Sequence, residues 1–493
     1  MKIDKREKRK SPTQSNLPFE IDPEPATETI TSYAGIPLIA QAFRALGVAG
    51  SVASNVKVKE RDRGYDEATM VESFVILNAA GGESLDDFQR LREDPGLEEL
   101  IGHELPSPAA ARKFLYQFHD DQKVEEAKQQ RLPDEKAYIP EETERLQGLG
   151  LVNRHIIQEY GRRMPAQKKA TVDQDATIID SNKREALRTY EGGKGYQPML
   201  TVWAETNLIL ADEFRDGNVP AAMSPLASAK AAFSSLPPTV EEFYFRGDSA
   251  CHESDLLDWL KNEQREDGPS GKIGFAISAR MSQALRKTIE GVEPDQWLRY
   301  DSEDENGNAN KNRDEDVIRE CADVVFVSNE EAKTKHSKPL RYIAIRITKK
   351  QGELFDDGNQ VKHFAVVTNI WDWTAAQVLS WHRKKAGTIE GVNDVIKNEL
   401  AGGVMPCGRF GANAAWLRLA VISFNLIVML KLLALPTEVA AARPKRLRFL
   451  LFNTAGKVVH HARKVMLKIV TTAQRLTDYW INAVKTLIII PTG

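Results

Sequence analysis

Three carboxylates stand where they could do chemistry. Asp175 closes the apolar run of TVDQDAT, Asp248 follows that of FYFRGDS, and Glu390 lies in TIEGVNDVIKNEL. An acid at the end of a strand reaches a sheet edge or crevice, where ligands bind in α/β folds. Carboxylates that converge repel one another and lose hydration unless a cation neutralises them. Hard divalent ions suit such oxygens. Two of them about 4 Å apart can activate an attacking oxygen and stabilise a leaving one in phosphoryl transfer. Each acid also has a plainer use. DQD is either a metal motif or two turn acids, GDS is an Asx turn or helix cap, and Glu390 with Lys397 two helical turns on is a surface pair.

The surroundings of Glu390 bear on that choice. His382, Arg383, Lys384 and Lys385 precede it, and Lys397 follows. Cations that position phosphates beside carboxylates that hold ions are what a phosphate-backbone substrate requires. Trp371, Trp373 and Trp381 offer a stacking surface for a splayed base, or else pack in a core or hinge.

The elements that must position these residues change character along the chain. Residues 1–30 are polar and proline-bearing, as in a disordered basic leader. A mainly helical stretch follows. Tyr65 to Ala80 carries apolar residues at helical spacing up to Gly81-Gly82, Ser84 is a candidate cap for the next helix, and Ser107-Pro108 marks another start. Short helices with tight turns fit a helix-turn-helix or simply a helical domain. From near Lys168, β-rich runs (ATVDQDATII, MLTVWAE, EFYFRGDS, IGFAIS) alternate with helical segments, the mark of an α/β sheet. An acidic loop, DSEDENGNANKNRDED, and two further β-like runs, RYIAIRIT and HFAVVTN, come next. Helix then returns through WLRLAVISFNLIVMLKLLA.

The 493 residues are 42 % hydrophobic and 28 % charged, enough for sizeable cores and too many for one ordinary domain. Three scattered cysteines, Cys251, Cys321 and Cys407, exclude a disulfide scaffold and a Cys/His zinc set, and suit a reduced compartment. MKIDKREKRKS lacks the apolar run of a signal peptide. The most apolar span, Leu419 to Leu430, is short for a membrane crossing and reads as a buried helix. The net charge of -3 announces no polyanion partner, but its distribution does. From Pro436 onward ten Lys/Arg face two acids, and the first ten residues are also basic, so both ends suit a polyanion or are simply solvated helix faces and a ragged terminus.

The chain resembles bacterial insertion-sequence transposases of the DDE type, whose catalytic domain is ribonuclease-H-like. The matching phrases are TVDQDATIIDSNKREALRTYEGGKGYQPML, FRGDSACHESDLLDWLK, WHRKKAGTIEGVNDVIKNELAGG and FGANAAWLRLAVISFNLIVMLK. AAGGESLDDFQRLREDPGLEELIGHELPSPAAARKFL is similar to the family's leader region. By position the resemblance makes Asp175, Asp248 and Glu390 the catalytic, metal-binding acids. Asp173 is the alternative first acid; Thr177, two residues after Asp175, favours the latter. The family's third block carries Tyr, Arg, Glu and Lys at set intervals. Glu390 and Lys397 match it, whereas the arginine position is Ala386 and the aromatic one Arg383.

The expected fold is therefore α/β, a ribonuclease-H-like core with an inserted subdomain, between a helical N-terminal region and a basic helical tail. The expected division is a leader (1–30), a helical DNA-binding and assembly region (31–167), a first core segment (168–280), an insertion beside the sheet (281–375), a second core segment (376–435) and a basic C-terminal helical region (436–493). The resemblance implies Mg²⁺, replaceable by Mn²⁺, and strand cleavage and joining on double-stranded DNA with terminal inverted repeats and target DNA. It implies a homo-oligomer, a dimer, in the bacterial cytoplasm on the nucleoid, with no membrane. Expected DNA contacts are Arg383, Lys384, Lys385, Lys397, Arg443, Lys445, Arg446 and Arg448. The rival readings are a metal-dependent nuclease without strand transfer and an inactive DNA-binding protein retaining the fold.

Overall fold

A computed structural model describes the chain except for residues 1–12, 15–19, 22–23, 25–26, 60–63, 132–135, 302–315, 328–338, 350–354, 356–357, 472–473 and 490–493. Most of the basic leader and of the acidic loop thus lie outside the described residues. Within the leader Thr13–Gln14 pairs with Glu20–Ile21, and Ile30–Thr31 joins a sheet near the C-terminus.

Capping residues set the helical N-terminal region. Asp66 accepts the Thr69 N–H at 2.6 Å to start α1 (Glu67–Ala80), and Gly81, at φ 98°, ends it in the left-handed region that glycine adopts without a Cβ clash. Ser107 accepts the Ala110 N–H at 3.2 Å, with Pro108 in the first turn. Ser84 is not a helix cap. The helix there begins at Asp87, whose charged carboxylate accepts the Glu83 and Ser84 N–H groups, both at 2.8 Å. Thr143 caps α2 (Glu144–Arg163), which leads into the sheet.

The sheet strands, in chain order, are β1 (Lys169–Ala176), β2 (Met199–Trp203), β3 (Leu208–Glu213), β4 (Glu242–Gly247), β5 (Ile273–Ser278), β6 (Leu298–Arg299), β7 (Val317–Val324), β8 (Arg341–Lys349) and β9 (Val361–Thr368). They form one nine-stranded mixed sheet in the order β6-β7-β8-β9-β5-β4-β1-β2-β3. β4 runs parallel to both β1 and β5, and β2 and β3 continue antiparallel from β1. Side chains alternate between faces. The Gln174 amide donates to the Pro225 carbonyl at 2.9 Å, at the start of α3 (Pro225–Ser235), so α3 lies on one face. Asp173 and Asp175 turn to the other face, which α4 (Ala375–Glu399) covers. A capping box between Thr374 and Gln377 starts α4.

The described strands of 281–375 do not stand beside the sheet. β9 pairs antiparallel with β5, and β8, β7 and β6 follow, so this stretch lengthens the sheet that carries Asp175. The outer edge of β5 presents unpaired N–H and C=O groups, and a neighbouring strand satisfies them.

α5 (Phe410–Ala434) is longer than the apolar run that marked it. At 25 residues, with an 18-residue window of mean hydropathy 2.0, it has the length to span a membrane, but 83 % of that window is buried inside the protein. Its polar residues are anchored to neighbouring elements. Arg418 pairs with Asp212 at 3.0 Å and Glu142 at 2.7 Å, and Asn425 accepts the Ile209 N–H at 2.9 Å while donating to the Ile209 carbonyl at 2.8 Å. The helix is thereby pinned to β3 as the central pillar of the molecule.

The C-terminal region is only partly helical. Gly456–His461 and Lys464–Ile469 form a hairpin that pairs with Ile30–Thr31, and the helix Gln474–Ile489 follows. Val465 to Ile469, expected as helix, alternates along a strand because the turn at Ala462-Arg463, both at positive φ, folds it back onto its neighbour.

Candidate active site

Parallel strands β1 and β4 bring two of the acids to one end of the sheet. Asp175 is next to last in β1, and Asp248 immediately follows β4. One Asp248 oxygen accepts the Ala250 N–H at 3.0 Å and starts a short 3-10 turn, Ser249–Cys251. Asp248 is thus a turn cap through one oxygen, and among the described residues no hydrogen-bond donor meets the second. Gly247 is required before it, because a Cβ there would fall 2.5 Å from that of Cys251. Glu390, on α4, is exposed.

These groups lie within electrostatic reach of one another. Burial raises the Asp175 carboxyl above its ordinary pKa, Lys385 draws it down, and Asp248 and Glu390 both push it up. The buried Cys251 thiol, pushed up by burial, lies in the field of Asp248, Lys385 and Asp175. The nearest cation is the Lys385 ammonium, 3.5 Å from Asp175 Oδ1, on a side chain only 11 % exposed. Among the described residues no three His, Cys, Asp or Glu side chains are close enough to enclose a metal ion.

A second layer ties the three supporting elements together. Arg246 Nε and Nη2 donate to the two Asp173 oxygens at 2.6 and 2.8 Å, and its Nη1 donates to the Trp381 carbonyl at 2.6 Å. The Thr388 hydroxyl donates to Asp173 as well. The Arg246 guanidinium also lies 5.3 Å from the Trp381 ring centre. Asp173, Arg246 and Thr388 each stand two residues before one of the three acids. In a strand that spacing returns to the same face, so the ion pair grips β1 and β4 directly beneath their acids. His382 adds a fourth tie, its Nε2 hydrogen-bonding the Gly247 carbonyl at 3.1 Å. Burial holds its pKa down to about 4, so the ring is neutral near pH 7 and donates that bond.

The basic residues expected on DNA divide. Arg383 and Lys384 are exposed, while Lys385 turns in toward Asp175. Lys397 is half-buried and lines a small cavity with Glu83, Ile179 and Asp180. Arg443 pairs with Asp394 and, at 2.7 Å, with Glu399. Lys445 and Arg446 are exposed, the latter 5.5 Å from the Phe449 ring centre. Arg448 is committed inside the protein, donating to the carbonyls of Ala79 at 3.0 Å, of Asn78 at 2.7 Å, and of Glu399. Those oxygens end α1 and α4, where carbonyls lack partners within their own helices. Trp381 is a core residue and Trp373 is half-buried beside it, both packed on Tyr244 with ring centres 5.7 and 6.0 Å away, whereas Trp371 is exposed.

Sequence reasoning missed Arg246, Thr388 and His382 as supports of the site, although all three lie inside the motifs that carry the acids. A cavity of about 750 Å³ on the α3 side, lined by Phe118, Arg154, Met223 and Phe410, contains none of the three acids.

No curated protein matches the chain significantly. A piggyBac transposase, in a synaptic complex with hairpin DNA determined by cryo-EM, is a structural neighbour at 11 % identity and a TM-score of 0.42. The match covers 81 % of this chain and 77 % of that one. The family described as Transposase DDE domain group 1 matches residues 20–486, nearly the whole length. The chain belongs to this family of DDE-domain transposases.

Proposed function

We propose that this transposase is of the bacterial insertion-sequence type, cutting the ends of its element and joining them to target DNA. Asp175, Asp248 and Glu390 are its catalytic acids. The observation that carries this assignment is that parallel strands β1 and β4 carry Asp175 and Asp248 to the same end of the sheet, where the helix bearing Glu390 lies against Asp175 through Lys385. The strand order β3-β2-β1-β4-β5, with β1, β4 and β5 parallel, supports a ribonuclease-H-like core.

An all-carboxylate donor set suits Mg²⁺, with Mn²⁺ able to replace it. Asp175, the free oxygen of Asp248, and Glu390 would hold the ions, which would supply activation of the attacking oxygen and charge stabilisation at phosphorus. The Asp173–Arg246–Thr388 layer fixes the two strand ends and the helix relative to each other. Neutral His382 holds the turn that presents Asp248. Exposed Arg383 and Lys384 position backbone phosphates beside the acids, with Lys397, Lys445 and Arg446 placing more distant ones. Arg448 has no role in this, being held by main-chain carbonyls. The partners are duplex DNA with terminal inverted repeats, target DNA and a second copy of the chain, since two ends must be joined together.

Incubating the protein and Mg²⁺ with labelled terminal-repeat DNA and a target plasmid tests the reading. Labelled DNA joined to the plasmid is the expected product. Cleavage without joining would identify a nuclease, and tight binding without cleavage an inactive relative.

A further inference from the structure

The Lys385 ammonium is the cation that the Asp175 carboxylate meets in the folded chain. It arises from the run His382-Arg383-Lys384-Lys385, in which Arg383 and Lys384 face solvent. Of the run's three long cationic side chains, Lys385 turns inward, with 11 % of its side chain exposed and Nζ 3.5 Å from Asp175 Oδ1. The other cation nearby is already engaged, since Arg246 gives Asp173 two parallel bonds and Trp381 a third. His382 is neutral near pH 7 and contributes no charge. The Asp175 carboxylate is therefore met by one ammonium, with Asp248 and Glu390 adding negative charge to its surroundings, and no three of the described side chains close into a cage.

From this placement we infer that Lys385 is an internal counter-ion that competes with divalent metal ions for Asp175. The inference rests on the proposed catalytic role of the acids and extends it to how the site is loaded. Like charges cannot gather at a partly buried position without compensation, and an ammonium supplies one positive charge. A divalent cation supplies two and repels the ammonium it approaches. Lysine suits an exchangeable role, because its charge is compact and its four-carbon stem swings on rotatable bonds, whereas a guanidinium forks rigidly onto a carboxylate. Arg246 on Asp173 shows the fixed arrangement, and Lys385 on Asp175 the releasable one. Once displaced, Lys385 is free to meet a substrate phosphate, so metal loading and phosphate contact are coupled through one side chain.

The test is Mn²⁺ binding to the full-length protein, free of DNA, measured by the electron paramagnetic resonance of unbound Mn²⁺, in wild type, Lys385→Met, Lys385→Arg and Asp175→Asn. Lys385→Met keeps most of the stem and removes the charge. Its Mn²⁺ affinity should rise by about tenfold, the scale of one unit charge a few ångströms away in a partly wet site. Lys385→Arg, which keeps the charge and forks onto the carboxylate, should bind Mn²⁺ no more tightly than wild type, and Asp175→Asn should lose the site. Melting gives a second readout, in which added Mn²⁺ should raise the Tm of Lys385→Met by more than that of wild type. If Asp175-dependent binding is present in wild type but equal or weaker in Lys385→Met, the counter-ion role is overturned while the metal site stands. If neither protein shows Asp175-dependent binding, the metal site itself is overturned and the inference with it. A Lys385→Met protein that loses only DNA affinity would make this residue a phosphate contact and nothing more.

Discussion

Arg246 and Asp173 form a paired-bond ion pair, at 2.6 and 2.8 Å, with both side chains essentially sealed from solvent, and each stands two residues before a proposed catalytic acid. A buried charge stripped of its partner has no water to replace it. Arg246→Met alone and Asp173→Asn alone should each lower stability by about 3–5 kcal/mol in urea melts. The double variant should cost clearly less than the two singles added together, since neither orphan remains. Additive losses would show that the pair is not coupled. The same measurement separates the candidate first acids, because Asp175→Asn should abolish cleavage while leaving the melt close to wild type.

Glu390 is exposed on α4, where its carboxylate is not needed to hold the fold. Glu390→Gln should therefore fold normally and bind terminal-repeat DNA with unchanged affinity, yet lose Mg²⁺-dependent cleavage by at least about a hundredfold, in the range by which one charged catalytic group contributes. Gel-shift and cleavage assays on the same preparation check both halves. Residual cleavage within a few-fold of wild type would remove Glu390 from the catalytic set.

The contrast between Lys384 and Lys385 shows where legibility in the sequence stops. The acids are visible because a strand that ends in Asp is a local pattern, and the segments of β8 and β9 are visible by alternation. Which of two adjacent lysines turns inward depends on the rotation of α4 against the sheet, about 100° per residue, and no local pattern encodes it. Arg448 reads as a DNA contact for a related reason. Its partners are main-chain oxygens at the ends of α1 and α4, which no side-chain pattern marks. The place of β8 and β9 in the sheet depends likewise on backbone pairing with β5, and side-chain alternation says only that a strand exists. The start of α5 is underread: its pattern reads from Trp416, whereas the helix begins at Phe410, ahead of Gly411 and Asn413, whose amide is buried only because Tyr196 and the Cys407 carbonyl meet it.

The basic tail should divide by function. Neutralising Lys445 and Arg446 together should weaken binding equally for specific and random duplexes. It should also flatten the dependence of log affinity on log salt by up to about one unit for each phosphate no longer neutralised. Arg448→Ala should leave that slope unchanged and instead lower stability, by about 1–3 kcal/mol, because the carbonyls ending α1 and α4 lose their donor. DNA affinity across a salt series, read beside a urea melt of each variant, decides the matter. A slope lowered by Arg448→Ala would return that residue to the DNA surface.

Acid should loosen the hold of His382 on the Asp248 turn. Its half-buried side chain is hydrogen-bonded to Gly247, and loss of hydration holds its pKa in the folded protein down to about 4, against an ordinary value of 6.5. The unfolded chain therefore binds a proton that the folded one refuses. Stability from this group is complete above pH 6.5 and is lost as pH falls from there through 4, amounting to about 3 kcal/mol for a shift of that size. Raised carboxyls such as Asp175 and Asp216, the latter pushed up to about 6 by burial, work in the opposite direction and gain stability on acidification. A single pH profile therefore mixes the signs, and the difference between wild type and His382→Gln isolates the histidine. Glutamine cannot titrate, and its amide N–H can still donate to the Gly247 carbonyl. Between about pH 7 and 4.5, wild type should lose more stability than the variant by about 2–3 kcal/mol. Parallel profiles would mean that His382 is not held neutral in the folded protein.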